Sequence, residues 1–341
     1  MSKTVTLNDV ATEAGVSPST ASRALSGKAD AYRISQATAD TIKAAADRLG
    51  FRPSSVARSL RLKKSGMIGV IVPDIANPFF AAIAREVTDA AEKGDLHVVL
   101  ADSQGDTVRE ASLVQKLLAR QVEALVVCPV GLESDHLAQA RNSGVPVVLV
   151  DRTFPKEDFI QVTSQHSQGA EKAIRLLTSK GHRQIGILQG LPGTLPNEAR
   201  LAGAKRGLAK AGIAYDSVTV AGTDYTENSG SLAAKSLLDA NPDLTALFAF
   251  SMLNAFGALK VARELNLRVP EDLSIVAFDD SPFADFMEVP ITTVTQDVTQ
   301  LGRLAGELIT HNVQGGRGTR RKLHQIGVEV RERQSISRIK K

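Results

Sequence analysis

Two sets of residues in this 341-residue chain have the types and spacing that binding chemistry needs. The first set follows a series of apolar runs. Asn77, Phe79 and Phe80 come after MIGVIVP, Asp151 and Arg152 after VPVVLV, and Ser251 after ALFAF. Asp279 follows LSIVAF, Gln296 follows TTVT, and Arg200 lies farther past QIGIL. If the runs are parallel strands, these residues stand at carboxyl ends, where open sheets hold their ligands. Aromatic faces with carboxylates, amides and guanidinium groups suit a polyol, because ring faces stack and each hydroxyl takes a polar partner. The cations Arg152 and Arg200 also suit a phosphate. The second set is Thr6, Ser17, Pro18, Ser19, Thr20, Ser22 and Arg23, near the N-terminus. Small hydroxyls and one guanidinium on an exposed helix suit a DNA major groove, where Arg23 would pair with O6 and N7 of guanine.

The elements that must position the second set are short helices. In TLNDVATEAGVSPSTASRALSG, residues Leu7, Val10, Ala11 and Ala14 recur at three- and four-residue spacing, which predicts one apolar helix face. Thr6 caps that helix, and Gly15 suits a left-handed exit from it. Ser17 caps a second helix with Pro18 at its first position, and Ala21, Ala24 and Leu25 face the first helix. A third helix is predicted from Ser35 to Leu49, stopped by Gly50. At this stage two readings stand open: a DNA-reading helix, or a structural helix pair with a solvated face. Charge bears on the choice. Residues 1–64 carry eleven basic and five acidic side chains, and the remainder carries thirty and thirty-two. The net +4 of the whole chain therefore comes from its head, which points to a polyanionic partner.

Composition excludes several classes. Aromatic residues make up 4% and tryptophan is absent, so the cores must be aliphatic. No apolar run is long enough to span a bilayer, and no signal-peptide pattern opens the chain. The single cysteine, Cys128, sits in the apolar run ALVVCPV, where it reads as a buried inert thiol and fits a reducing cytoplasm. The six histidines (97, 136, 166, 182, 311 and 324) lack metal-ligand spacing. No nucleophile elbow, P-loop or zinc motif is present. The expectation is a non-enzyme with no cofactor and no metal.

From Gly66 the pattern becomes alternating strands and helices. The runs 67–73, 97–102, 124–130 and 145–151 read as buried parallel strands, with helices near 79–93, 109–120 and 136–143. A second series has strands at 184–190, 217–222, 246–251 and 273–280, separated by helices near 167–180, 199–211, 228–239 and 253–265. Two such series imply two doubly wound lobes, and the tail adds a strand, a helix and a returning strand.

The stretch TLNDVATEAGVSPSTASRALSG, then FRPSSVARSL, then the body to about residue 335, resembles the LacI/GalR family of bacterial transcription repressors. The resemblance implies an α/β chain: an N-terminal helix-turn-helix head and a two-lobed, periplasmic-binding-protein-like (type I) sensor of doubly wound parallel sheets. It places the head at 1–52, a hinge helix at 53–65 and the sensor at 66–341. Lobe 1 would take about 66–163 and 297–318, and lobe 2 about 164–294 and 320–335. It implies that the second helix reads a palindromic operator in double-stranded DNA. Ala57 would touch the minor-groove floor, and Leu60 would wedge into a central step and kink the duplex. It also implies that Asp151, Arg200, Asp279 and Gln296 hold a sugar-like effector. Ser251, which stands where the lactose repressor has asparagine, and Arg152 look closer to the fructose repressor, whose ligand is a phosphosugar. Dimerisation would use helices near 79–93, 109–120 and 253–265. The chain therefore reads as a cytoplasmic, nucleoid-associated homodimer or tetramer with no membrane partner. It would repress a carbohydrate operon under allosteric control. Alternatives are a corepressor-dependent regulator, an activator, or a sugar-binding transport protein, the last disfavoured by the basic head.

Overall fold

A computed structural model describes residues 5–52, 64–316 and 323–339. It divides into two compact units, Met1–Ser65 and Gly66–Lys341. The hinge positions Ala57 and Leu60 lie outside the described residues.

In the first unit, helices α1 (Leu7–Glu13), α2 (Pro18–Leu25) and α3 (Gln36–Leu49) enclose a small aliphatic core. Val10, Ala11, Ala21, Ala24, Ala39, Ile42, Ala45 and Ala46 are buried in it. Each helix start is fixed locally. Thr6 and Asp9 form a reciprocal capping box, while Ser17 and Ser35 accept from the backbone N–H of Thr20 and Thr38. Gly15 and Gly50 have φ of +66° and +64°, a region that strongly favours glycine. A short 3-10 turn, Asp30–Tyr32, interrupts the loop before α3 and was not foreseen.

Among the described residues, the second unit contains two six-stranded sheets. The first has the order β11-β5-β4-β3-β1-β2 and the second β12-β10-β9-β8-β6-β7. In the first sheet β1 is Met67–Val72, β2 His97–Asp102, β3 Ala124–Val127, β4 Val147–Val150, β5 Ile160–Ser164 and β11 Leu323–Ile326. In the second β6 is Ile185–Leu188, β7 Thr219–Ala221, β8 Ala246–Ala249, β9 Ser274–Phe278, β10 Thr292–Gln296 and β12 Val328–Arg331. Helices α4 (Pro78–Lys93), α5 (Thr107–Ala119), α6 (Asp135–Asn142) and α11 (Val298–Val313) belong to the first lobe. Helices α7 (His166–Ser179), α8 (Leu195–Lys210), α9 (Glu227–Ala240) and α10 (Met252–Glu264) belong to the second. Helix packing is close because small residues face each other. A Cβ added at Gly302 of α11 would lie 2.6 Å from the Ile83 carbonyl oxygen of α4.

The structure corrects four expectations. Strand β2 is an edge strand and half-exposed rather than buried, with Leu100 open on its outer side. Strand β5 was not separated from its flanks in the sequence. The returning tail strand is two strands, divided at Gly327. Leu323–Ile326, expected in the second lobe, pairs in parallel with β5 of the first sheet, and Val328–Arg331 pairs antiparallel with β10 of the second. The chain therefore passes between the lobes at Gln165, Asp297 and Gly327.

Candidate functional site

In the head unit, Thr6, Ser17, Pro18, Ser19 and Arg23 are exposed, and Thr20 and Ser22 are half-buried. The Ser17 hydroxyl lies 2.9 Å from the Ser19 hydroxyl and 2.8 Å from that of Thr20, so cap and candidate reading groups form one cluster. The Arg23 guanidinium carbon stands 4.1 Å from the Tyr32 ring centroid. That stacking holds a long cation in one orientation before any partner arrives. Tyr32 comes from the unforeseen 3-10 turn, so this positioning contact was not visible in the sequence.

In the body, the carboxyl ends of the strands bring together Asp151, His166, Arg200, Tyr225, Asp279 and Gln296. Arg200, on α8, is buried. Its Nη1 donates to the Phe250 carbonyl, its Nη2 lies 3.3 Å from His166 Nδ1 and 3.7 Å from Asp279 Oδ1, and its plane covers the Phe278 ring at 3.8 Å. Gln296 donates to Asp279 Oδ1 at 2.5 Å. Asp151 and Asp279 both sit at positive φ, +66° and +71°, directly beyond β4 and β9. The left-handed kink turns each carboxyl away from its strand's line, in a region where aspartate is among the better tolerated non-glycine residues.

Electrostatics follow from burial. Burial raises Asp151 from its ordinary 3.8 to about 6, against the pull of Arg200. It raises Asp279 too, again opposed by Arg200. Burial, then the Arg200 charge, pushes His166 well below the usual imidazole range, so the ring is neutral. Its tautomer is set by its neighbours. Arg200 donates to Nδ1, and the Thr163 hydroxyl spends its proton on the Asp151 carbonyl at 2.7 Å, so His166 Nε2–H donates to Thr163 at 3.1 Å.

Arg152 is half-buried, donates to the Val130 carbonyl at 2.8 Å and lies 5.1 Å from the Tyr225 ring centroid. Arg200 lies 5.8 Å from the same ring. Other foreseen residues take structural roles. Asn77 caps α4 by accepting from the Phe79 N–H at 3.0 Å. Ser251 caps α10, accepting from the Asn254 N–H and donating to its side chain at 2.9 Å. Phe80 is buried in the first-lobe core, while Phe79 stays half-exposed against it. Asp280 is held by Arg331 at 2.7 Å and Arg333 at 3.0 Å. His166 and Tyr225 were missed. Each lies just past a strand's carboxyl end, and the same rule that selected Asp151 would have found them had β5 been recognised and the loop after β7 read further.

Five buried polar atoms near these strand ends have no hydrogen-bond partner in the protein: Asp151 Oδ1, Thr153 Oγ1, Ser164 Oγ, Arg200 Nε and Gln296 Oε1. Buried polar groups are normally satisfied, so a cluster of orphans marks a place built for a polar guest. A cavity of about 780 Å³ is lined by one of these residues, Thr153, together with Arg152, the neighbour of Asp151 in the chain. It runs between first-lobe segments 131–135 and 152–157 and second-lobe segments around Gly193 and Glu198. That volume lies within the range of small-molecule sites. Among the described residues no cluster of metal-ligating side chains occurs, and no helix is long and apolar enough to cross a membrane.

Residues 6–54 match the family model described as bacterial regulatory proteins, lacI family, and residues 174–336 match the periplasmic binding protein-like domain. The chain is similar to the catabolite control protein A of Priestia megaterium, 33% identical over 90% of this chain and 92% of that one. Its fold is similar to a lac repressor dimer bound to operator and the anti-inducer ONPF. The TM-score is 0.85, with 26% identity, over 98% of this chain and 100% of the other. It is also similar to the transcriptional regulator CelR in complex with cellobiose. There the TM-score is 0.73, with 29% identity, over 97% and 99% of the two chains.

Proposed function

Because the chain belongs to the lacI family of bacterial regulatory proteins, we propose that it represses transcription of a sugar-utilisation operon under the control of a sugar effector. The observation that carries this is the orphaned polar cluster, since it gives a lacI-type DNA-binding chain a cleft equipped for a hydroxyl-rich molecule. It acts as a homodimer on a palindromic operator. Ser17, Pro18, Ser19, Thr20, Ser22 and Arg23 face the major groove, with Thr6 and the α1 terminus beside the phosphates. Residues 53–65 serve as the hinge, Ala57 and Leu60 meeting the minor groove. Exposed Leu100 and Val108 in the first lobe, and Phe283 and Phe286 in the second, are the apolar groups a second copy would cover. The protein is not an enzyme, and it works in the cytoplasm at the nucleoid, where its operator is.

The effector is held by Asp151, Arg200, Asp279 and Gln296, with Arg152 and Tyr225 at one side. It moves the DNA-binding equilibrium only by its difference in affinity for two lobe arrangements. The test is selection of a preferred duplex from random DNA, followed by anisotropy titration with and without a panel of sugars. A duplex preferred well over bulk DNA, with affinity changed by one sugar, is the expected result. Equal affinity for all sequences overturns the reading.

A further inference from the structure

We infer that the effector is an uncharged, hydrogen-bond-donating polyol, and that its phosphate esters are rejected by the cleft's own carboxylates. This rests on the sugar-effector reading and narrows it. The orphaned atoms state what the guest must offer. Asp151 Oδ1 and Gln296 Oε1 only accept, Arg200 Nε only donates, and the Thr153 and Ser164 hydroxyls do either. A hydroxyl both donates and accepts, so a few hydroxyls satisfy all five. A phosphate brings acceptor oxygens alone, and beside two acceptor-only oxygens those meet repulsion.

The charges agree. Arg200 is matched by Asp279 at 3.7 Å, and Arg152 lies close enough to Asp151 to pull that carboxyl's proton affinity down. The two cations are thus offset within the site. Around the cavity mouth stand four carboxylates, Glu133, Asp135, Glu157 and Glu198, against two cations, Arg152 and Lys156. Two helices start at this mouth, α6 and α8, and neither has a side-chain cap. Such positive ends ordinarily hold phosphates. Here each already carries a carboxylate in its first turn, Asp135 on α6 and Glu198 on α8, and Glu198 accepts the Gly193 N–H at 2.9 Å. A phosphate approaching either helix start would therefore meet a carboxylate of the protein beside it. The paired arginines, which in the sequence suggested a phosphosugar, are matched from within.

The experiment is calorimetric titration of the full chain with D-ribose, D-glucose, D-fructose and cellobiose. The first three are each run beside a phosphate ester: ribose 5-phosphate, glucose 6-phosphate and fructose 1-phosphate. A thermal-shift screen of further uncharged sugars and their esters extends the panel. An uncharged sugar that binds at least roughly tenfold more tightly than its ester is expected, as like charges near a cleft discriminate. Neutralising the mouth, with Glu133→Gln and Glu157→Gln together, should narrow that ratio by strengthening the ester. An ester that binds more tightly than its parent, or a ratio untouched by the double variant, overturns this inference and leaves the sugar-effector reading standing. Silence from every sugar and every ester overturns the reading itself.

Discussion

Replacing Asp151 by asparagine is expected to make the protein more stable and less able to bind its effector. The carboxyl is buried, Oδ1 has no hydrogen-bond partner, and burial carries it from 3.8 to about 6. A raised acid lends stability that is fully present below about 3.8 and is lost as pH rises through about 6. Holding the charge at pH 7.5 therefore costs about 3 kcal/mol relative to the protonated form. Asparagine keeps the shape, tolerates the +66° φ and carries no charge, so it recovers up to that amount. The same change weakens a charge-assisted hydrogen bond to a ligand hydroxyl, worth about 1.5–3 kcal/mol, or roughly ten- to a hundredfold in affinity. Urea unfolding at pH 4 to 8 measures the first effect and calorimetry the second. The variant's advantage should shrink towards zero at pH 4, and wild-type affinity should rise with pH through about 6 as the carboxylate forms. A variant less stable than wild type by the same margin at every pH would refute the reasoning.

Other perturbations separate the remaining parts. Arg23→Ala should lose about 1–3 kcal/mol of discrimination between a selected duplex and random DNA while keeping salt-dependent nonspecific binding; equal losses on both would remove its reading role. Arg200→Ala strands Asp279 and the Phe250 carbonyl, so it should cost about 3 kcal/mol or more, lower the melting temperature by roughly 6–12 °C and abolish effector binding; a normal titration would clear it. Gly302→Ala drives a methyl group against the Ile83 carbonyl and should cost about 1–3 kcal/mol with no change in which sugar binds, as read by denaturant midpoint and calorimetry.

The head was legible almost residue by residue because its determinants are local. A cap, its partner three residues on and a glycine at positive φ lie within one short window. The lobes were legible as periodic apolar runs, but β5 was not, because the segment IQVTS is buried while being mostly polar. Gln161 is satisfied by Phe154 and Glu157, and Thr163 by the Asp151 carbonyl, so burial there rests on hydrogen bonds no hydropathy pattern reveals. Losing β5 also hid His166, which follows it. Asp151, Arg200, Asp279 and Gln296 could be picked out as strand-end or family-matched positions, and the structure brings them together. That Asn77 and Ser251 would serve as caps, and that Phe80 would turn into the core, depends on side-chain direction, which residue type alone does not give.

The passages at Gln165, Asp297 and Gly327 have a mechanical consequence. Sliding the lobes apart would strain three short tethers at once, whereas twisting or bending about a line through them moves each tether little. An effector then selects an angle rather than a gap. Gly327 is one residue long between strands of different sheets, so stiffening that single joint would alter sugar response and operator release together, through one shared coordinate.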